Sequence, residues 1–68
     1  MNDIWRFKDL MHEPMLLDRE GSSSKLAEII GEDNVERLRN LGVIRVLNGK
    51  FLVTEVGEGI IKLYNRQK

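Results

Sequence analysis

Hydrophobic positions recur at helical spacing through the first forty residues and then switch to strict alternation. Ile4, Phe7, Leu10 and Met11 fall on one face of a 3.6-residue period, which predicts a helix over residues 3–12 with Asp3 near its start. Trp5 lies about 100° round from Ile4, at the edge of that stripe. Pro14 has no N–H and disfavours helix at Glu13, so the helix should end there. PMLLDRE reads as a short second helical piece beginning at Pro14, with a short strand as the alternative. Gly21 and the serines at 22–24 make a loop that supplies an N-cap, and residues 25–30 form the next helix. Gly31 stops it. A further helix covers Glu32–Asn40, its acidic start suited to the helix dipole, with Val35, Leu38 and Leu41 inward and Gly42 closing it.

The period changes at RVLNGKFLVT, residues 45–54, where Asn-Gly separates two apolar, β-branched runs. A two-residue type I′ turn at Asn48-Gly49 pairs Leu47 with Lys50, Val46 with Phe51, Arg45 with Leu52 and Ile44 with Val53. Alternation then places Ile44, Val46, Phe51 and Val53 on the core face and Arg45, Leu47, Lys50 and Leu52 on the other. Thr54 caps a last helix with Glu55 in its first turn and Val56, Ile60, Leu63 and Tyr64 as the expected buried stripe. Gly57 and Gly59 should weaken its start by up to about 1 kcal/mol each.

Sixty-eight residues suit one domain, residues 1–68, with modest stability because so short a chain buries only about 60% of its unfolded surface. The chain has no cysteine, which removes disulfides, thiol nucleophiles and zinc–thiolate sites. The charged start, MNDIWRFKDL, lacks the apolar stretch of a signal peptide, and no run approaches the roughly 18 residues of a membrane span. A cytoplasmic location is the expectation. The formal net charge of zero hides an asymmetry: residues 1–36 hold four basic and nine acidic residues, net −5, and residues 37–68 hold seven basic and two acidic, net +5. Such a dipolar chain suits either a nucleic-acid-facing side or a head-to-tail protein contact.

The run LAEIIG, VERLRNLGVI, NGKFLVTEVG gives two helices joined by a one-glycine turn, then a hairpin and a helix. Over residues 26–63 it resembles the winged-helix domains of small prokaryotic transcriptional regulators. Residues 1–25 match only loosely. The resemblance implies an α+β winged helix-turn-helix fold of three to four helices with a two-stranded hairpin. It also implies that the helix at 32–40 is the recognition helix and that the hairpin is the wing, set on backbone or minor groove. Terminal helices often build the dimer in such regulators, so a homodimer is implied, with Trp5 as a candidate interface residue.

Within that frame Asn34, Arg37 and Asn40 are the candidate base readers, since Arg suits guanine and Asn suits adenine. Yet Asp33, Glu36, Arg37 and Asn40, the outward face of that helix, sum to −1, and phosphates repel its carboxylates. Arg45, Asn48 and Lys50 on the hairpin suit phosphate contact. Ser23 and Lys25, at a helix start with free N–H groups, suit a phosphate anchor. Leu47 and Leu52 share the outer hairpin face and, with Trp5, suit a protein partner instead. Asp9, His12 and Glu13 have the spacing of a metal site. A lone histidine without cysteine is read as a surface helix end, and no metal or cofactor is expected. No phosphate-cradling glycine loop or nucleophile motif is present, so an enzyme is not expected. Two functions remain: a DNA-binding transcriptional regulator, and a winged-helix module that docks a protein partner in a larger assembly without binding DNA.

Overall fold

The computed structural model describes residues 5–65, which form an α+β fold of five helices and one three-stranded antiparallel sheet. Helix α1 is a single turn, Phe7–Leu10, and begins later than its apolar spacing predicts. Arg6 is extended (φ −77°, ψ 150°), and the Trp5 carbonyl accepts from the Arg37 side chain instead of from a helical amide. The expected start at Asp3 and Ile4 lies outside the described residues. Leu10 and Met11 are fully buried, as the stripe requires. Helix α2, Pro14–Leu17, takes the helical option for PMLL, with Pro at its first turn and the Glu13 carboxylate accepting from Met15 N at 3.2 Å.

Strand β1, Glu20–Ser22, corrects the expectation of a loop around Gly21 and of a sheet with only two strands. A polar three-residue strand carries no alternation signal. It forms because β3, Lys50–Val53, would otherwise leave backbone groups unpaired on its far edge. Gly21 sits opposite Phe51, and a Cβ there would stand 3.2 Å from both the Phe51 ring and the Met15 methyl. The absent side chain lets the largest core residue lie over the strand. Arg19 precedes β1 with φ 75° and accepts from Val53 N at 2.8 Å, so the junction is pinned by the sheet.

Helix α3 spans Ser23–Ile30, two residues longer at its start than expected, with Ser22 as the N-cap. Gly31, at φ 90°, ends it and opens α4, Glu32–Asn40, as predicted. Strand β2, Ile44–Leu47, pairs with β3 in the predicted register, and Asn48 (φ 49°) and Gly49 (φ 78°) have the positive angles of a type I′ turn. Sheet order is β1-β3-β2, leaving β2 at a free edge. Phe51 and Ile44 close the core, with Leu10, Met11, Leu16, Leu26, Ile30, Leu38, Val43 and Ile61 around them.

Two apolar assignments need correction. Leu41, expected inward, is 53% exposed, and the inner face of α4 is completed by Asn34. Helix α5, Glu55–Asn65, buries Gly57 and Ile61, with Ile60 and Tyr64 half-buried, while Val56 and Leu63 stand 56% and 58% exposed. The helix is rotated from the predicted stripe because Gly57 lets its backbone approach Val43 directly.

Candidate nucleic-acid interface

The end of α4 and the start of β2 are tied together tightly. Gly42 turns the chain at φ 81°, and Val43 N then donates to the Leu38 carbonyl at 2.9 Å. The Thr54 hydroxyl lies within hydrogen-bonding reach of the Gly42 and Val43 carbonyls and accepts from Gly57 N at 3.0 Å, capping α5 as its sequence position predicts. This knot fixes three elements around one open groove. Arg39 and Asn40 line it from α4, Arg45 from β2 and Glu55 from α5. Arg39, near the end of α4, thus joins Arg45. Helical spacing alone could not find the pair, because the partner arrives from another element. The Arg39–Glu36 contact at 3.2 Å is exposed on both sides and holds Arg39 only weakly.

A second cluster forms at the hairpin turn. Ser23 N donates to the Gly49 carbonyl at 2.9 Å, and Ser22 pairs with Lys50 across the sheet. The Ser22 hydroxyl, not that of Ser23, caps α3 by accepting from Lys25 N at 3.3 Å. Lys25, Asn48 and Lys50 therefore meet at one end of the molecule, all exposed. Ser23 has spent its N–H on Gly49 and keeps only its hydroxyl for a ligand. Arg45 and Lys50 also share the outer face of the sheet, with Leu47 and Leu52, 56% and 43% exposed, between them.

The opposite flank of α4 is different. Asn34 faces inward: it is 8% exposed, its Nδ2 donates to the Ile30 carbonyl at 2.7 Å, and its Oδ1 accepts from Arg37 at 3.2 Å. It closes the open end of α3, and burial leaves little of its amide edge exposed. Arg37 also donates to the Trp5 carbonyl at 3.2 Å, and its guanidinium carbon sits 6.0 Å from the centre of the Phe7 ring. These contacts tie the N-terminal segment to α4, while the Arg37 side chain stays exposed. Trp5 is half-buried and packs against the core. Phe7, Leu41, Asp33 and Glu36 line a shallow groove on this flank, with Arg37 and Asn40 at its sides. The eight residues expected for DNA are thus split: Arg45 and Asn40 in one groove, Lys25, Asn48, Lys50 and Ser23 at the turn, Asn34 buried between α3 and α4, and Arg37 exposed beside Trp5 and Phe7.

Among the described residues no three acidic or histidine side chains are gathered as a metal site would need, Asp9, His12 and Glu13 included. No helix among them is long and apolar enough to cross a membrane. Comparison with protein-family models, with curated proteins and with solved structures returned no match.

Proposed function

We propose that this chain is a winged-helix domain that binds double-stranded DNA and acts as a transcriptional regulator. The element order, with α3, a one-glycine turn, α4 and a hairpin, and the sheet order β1-β3-β2 support the fold. The observation that carries the function is the groove where Arg39 and Asn40 at the end of α4 meet Arg45 of β2. A recognition helix and a wing must share one face to engage one stretch of duplex. From there cations continue along the outer sheet face to Lys50 and, across the Ser23–Gly49 bond, to Lys25. These four cations supply phosphate contacts, and Asn40 is the base reader left exposed.

A second reading, a module that docks a protein partner, draws on the other flank. There Asp33 and Glu36 flank an apolar floor of Phe7 and Leu41, an unfavourable surface for phosphates. Fluorescence anisotropy of a labelled generic duplex, titrated at about 50 and about 200 mM salt, separates the two. A DNA-binding domain gives micromolar affinity at the lower salt and at least about tenfold less at the higher. No binding at low salt removes the DNA reading and leaves the docking one.

A further inference from the structure

The outer face of the sheet carries a pattern that phosphate contact leaves partly unused. Arg45 lies opposite Leu52, and Leu47 opposite Lys50, so β2 and β3 present two cations and two leucines as a checkerboard. The leucines occupy one diagonal of this square and the cations the other, so each side of the apolar line carries one positive charge. Diagonal neighbours on a sheet stand about 7–8 Å apart, close enough for Leu47 and Leu52 to share one apolar contact. All four side chains are exposed, and neither cation has an ion-pair partner among the described residues. We propose that this face docks an acidic amphipathic helix of a partner protein. Its apolar stripe lies along the Leu47–Leu52 diagonal, with carboxylates over Arg45 on one side and Lys50 on the other.

Shape and charge together select this occupant. Apolar side chains three or four residues apart on a helix lie about 5–6 Å apart in one line, which fits a pair of leucines in diagonal contact. Duplex phosphates engage the cations and offer nothing to the leucines, whereas a helix flanked by carboxylates satisfies both. Glu20, opposite Leu52 on β1, repels a continuous anionic surface such as a bilayer. A helix places its carboxylates singly and avoids it. The inference rests on the docking reading and gives it a partner, at a site distinct from the Phe7–Leu41 groove. It does not require DNA binding.

Amide chemical shifts of the full chain, titrated with a synthetic helix, test it. The probe is a peptide of about 18 residues with leucines every three or four positions and glutamates on both flanks of that stripe. A control peptide carries lysine in place of each glutamate. The acidic probe should shift the amides of residues 45–52 with a Kd below about 1 mM, and the control should leave them unshifted. Leu47→Ser combined with Leu52→Ser should weaken binding by about tenfold or more, and Arg45→Gln with Lys50→Gln should weaken it most at low salt. The spectrum of each variant without peptide shows that it is folded. Duplex affinity of the leucine variant reports on the DNA reading separately, because leucines contact no phosphate. No shifts at the sheet face up to about 2 mM probe overturn the proposal, as does binding that survives loss of both leucines or both cations, or equal binding of the control. Shifts confined to Phe7 and Leu41 with either peptide also overturn it, while leaving the docking reading standing. Leucine-dependent pelleting with vesicles of about 30% phosphatidylserine, without peptide binding, would assign the face to a bilayer instead.

Discussion

The α carbon of Gly57 lies directly against the backbone carbonyl oxygen of Val43, so closely that a methyl group at residue 57 would overlap that oxygen and press on the Val43 and Val53 side chains. This approach sets the rotation of α5 on the sheet. It turns Ile61 inward, and it leaves Val56 and Leu63 outside.

A Gly57→Ala change therefore sets two effects against each other. Alanine favours the helix by about 0.5–1 kcal/mol, but overpacking against backbone costs about 1–3 kcal/mol, so the variant should be the less stable one. Gly59→Ala has open space around it and should be more stable by about 0.5–1 kcal/mol. Urea unfolding at a protein concentration too low for self-association measures both. Equal effects of the same sign would contradict the close approach at residue 57.

Asn34 should behave as a structural residue. Asn34→Ala leaves the Ile30 carbonyl without its donor and removes one acceptor of Arg37, which should cost about 1–3 kcal/mol. Thermal unfolding followed by circular dichroism reads this. A variant as stable as wild type that bound DNA less well would instead return Asn34 to the role of base reader.

Arg19 holds a positive φ of 75° and an exposed pairing of its Nε with Glu58, at 3.0 and 2.9 Å from the two carboxylate oxygens. Glycine at this position loses a surface ion pair worth about 0–1 kcal/mol but relieves about 1 kcal/mol of backbone strain. Arg19→Ala loses the pair and keeps the strain. Arg19→Gly should thus be the more stable of the two by about 1 kcal/mol in denaturant midpoint comparisons, and the reverse order would show that the positive φ at residue 19 carries no strain that glycine relieves.

On the DNA reading, Arg45→Ala and Lys50→Ala should each lower affinity similarly for all sequences and reduce the salt slope by about 1, because each removes one phosphate contact. Arg37→Ala should act differently. Its contacts are with Trp5, Asn34 and Phe7, so it should lower stability, with little change in salt slope for the fraction that stays folded. Anisotropy titrations across a salt series, alongside melting curves, distinguish these patterns.

Legibility in the sequence followed the range of the interactions involved. The hairpin register, the Thr54 cap, Gly31 as a helix stop and the bounds of α4 could all be read, because each depends on groups within a few residues of one another. Strand β1 escaped because Glu20, Gly21 and Ser22 have no strand pattern of their own and pair only with a strand some thirty residues later. The candidate interface escaped in the same way. Arg39 and Arg45 were each visible as charges, but their shared groove exists only through the turn at Gly42 and the Thr54 knot.

By itself the sequence determined the alternation that makes the hairpin, the glycine-separated helix pair, and the division of charge between the two halves of the chain, since periodicity and composition act locally. Tertiary structure alone decided which faces those helices present. A polar Asn34 turned inward because the Ile30 carbonyl needed a donor, and an apolar Leu63 turned outward because Gly57 admitted the backbone of α5 to the Val43 carbonyl. Side-chain hydropathy encodes neither requirement, because both belong to backbone groups that meet only when the chain is folded.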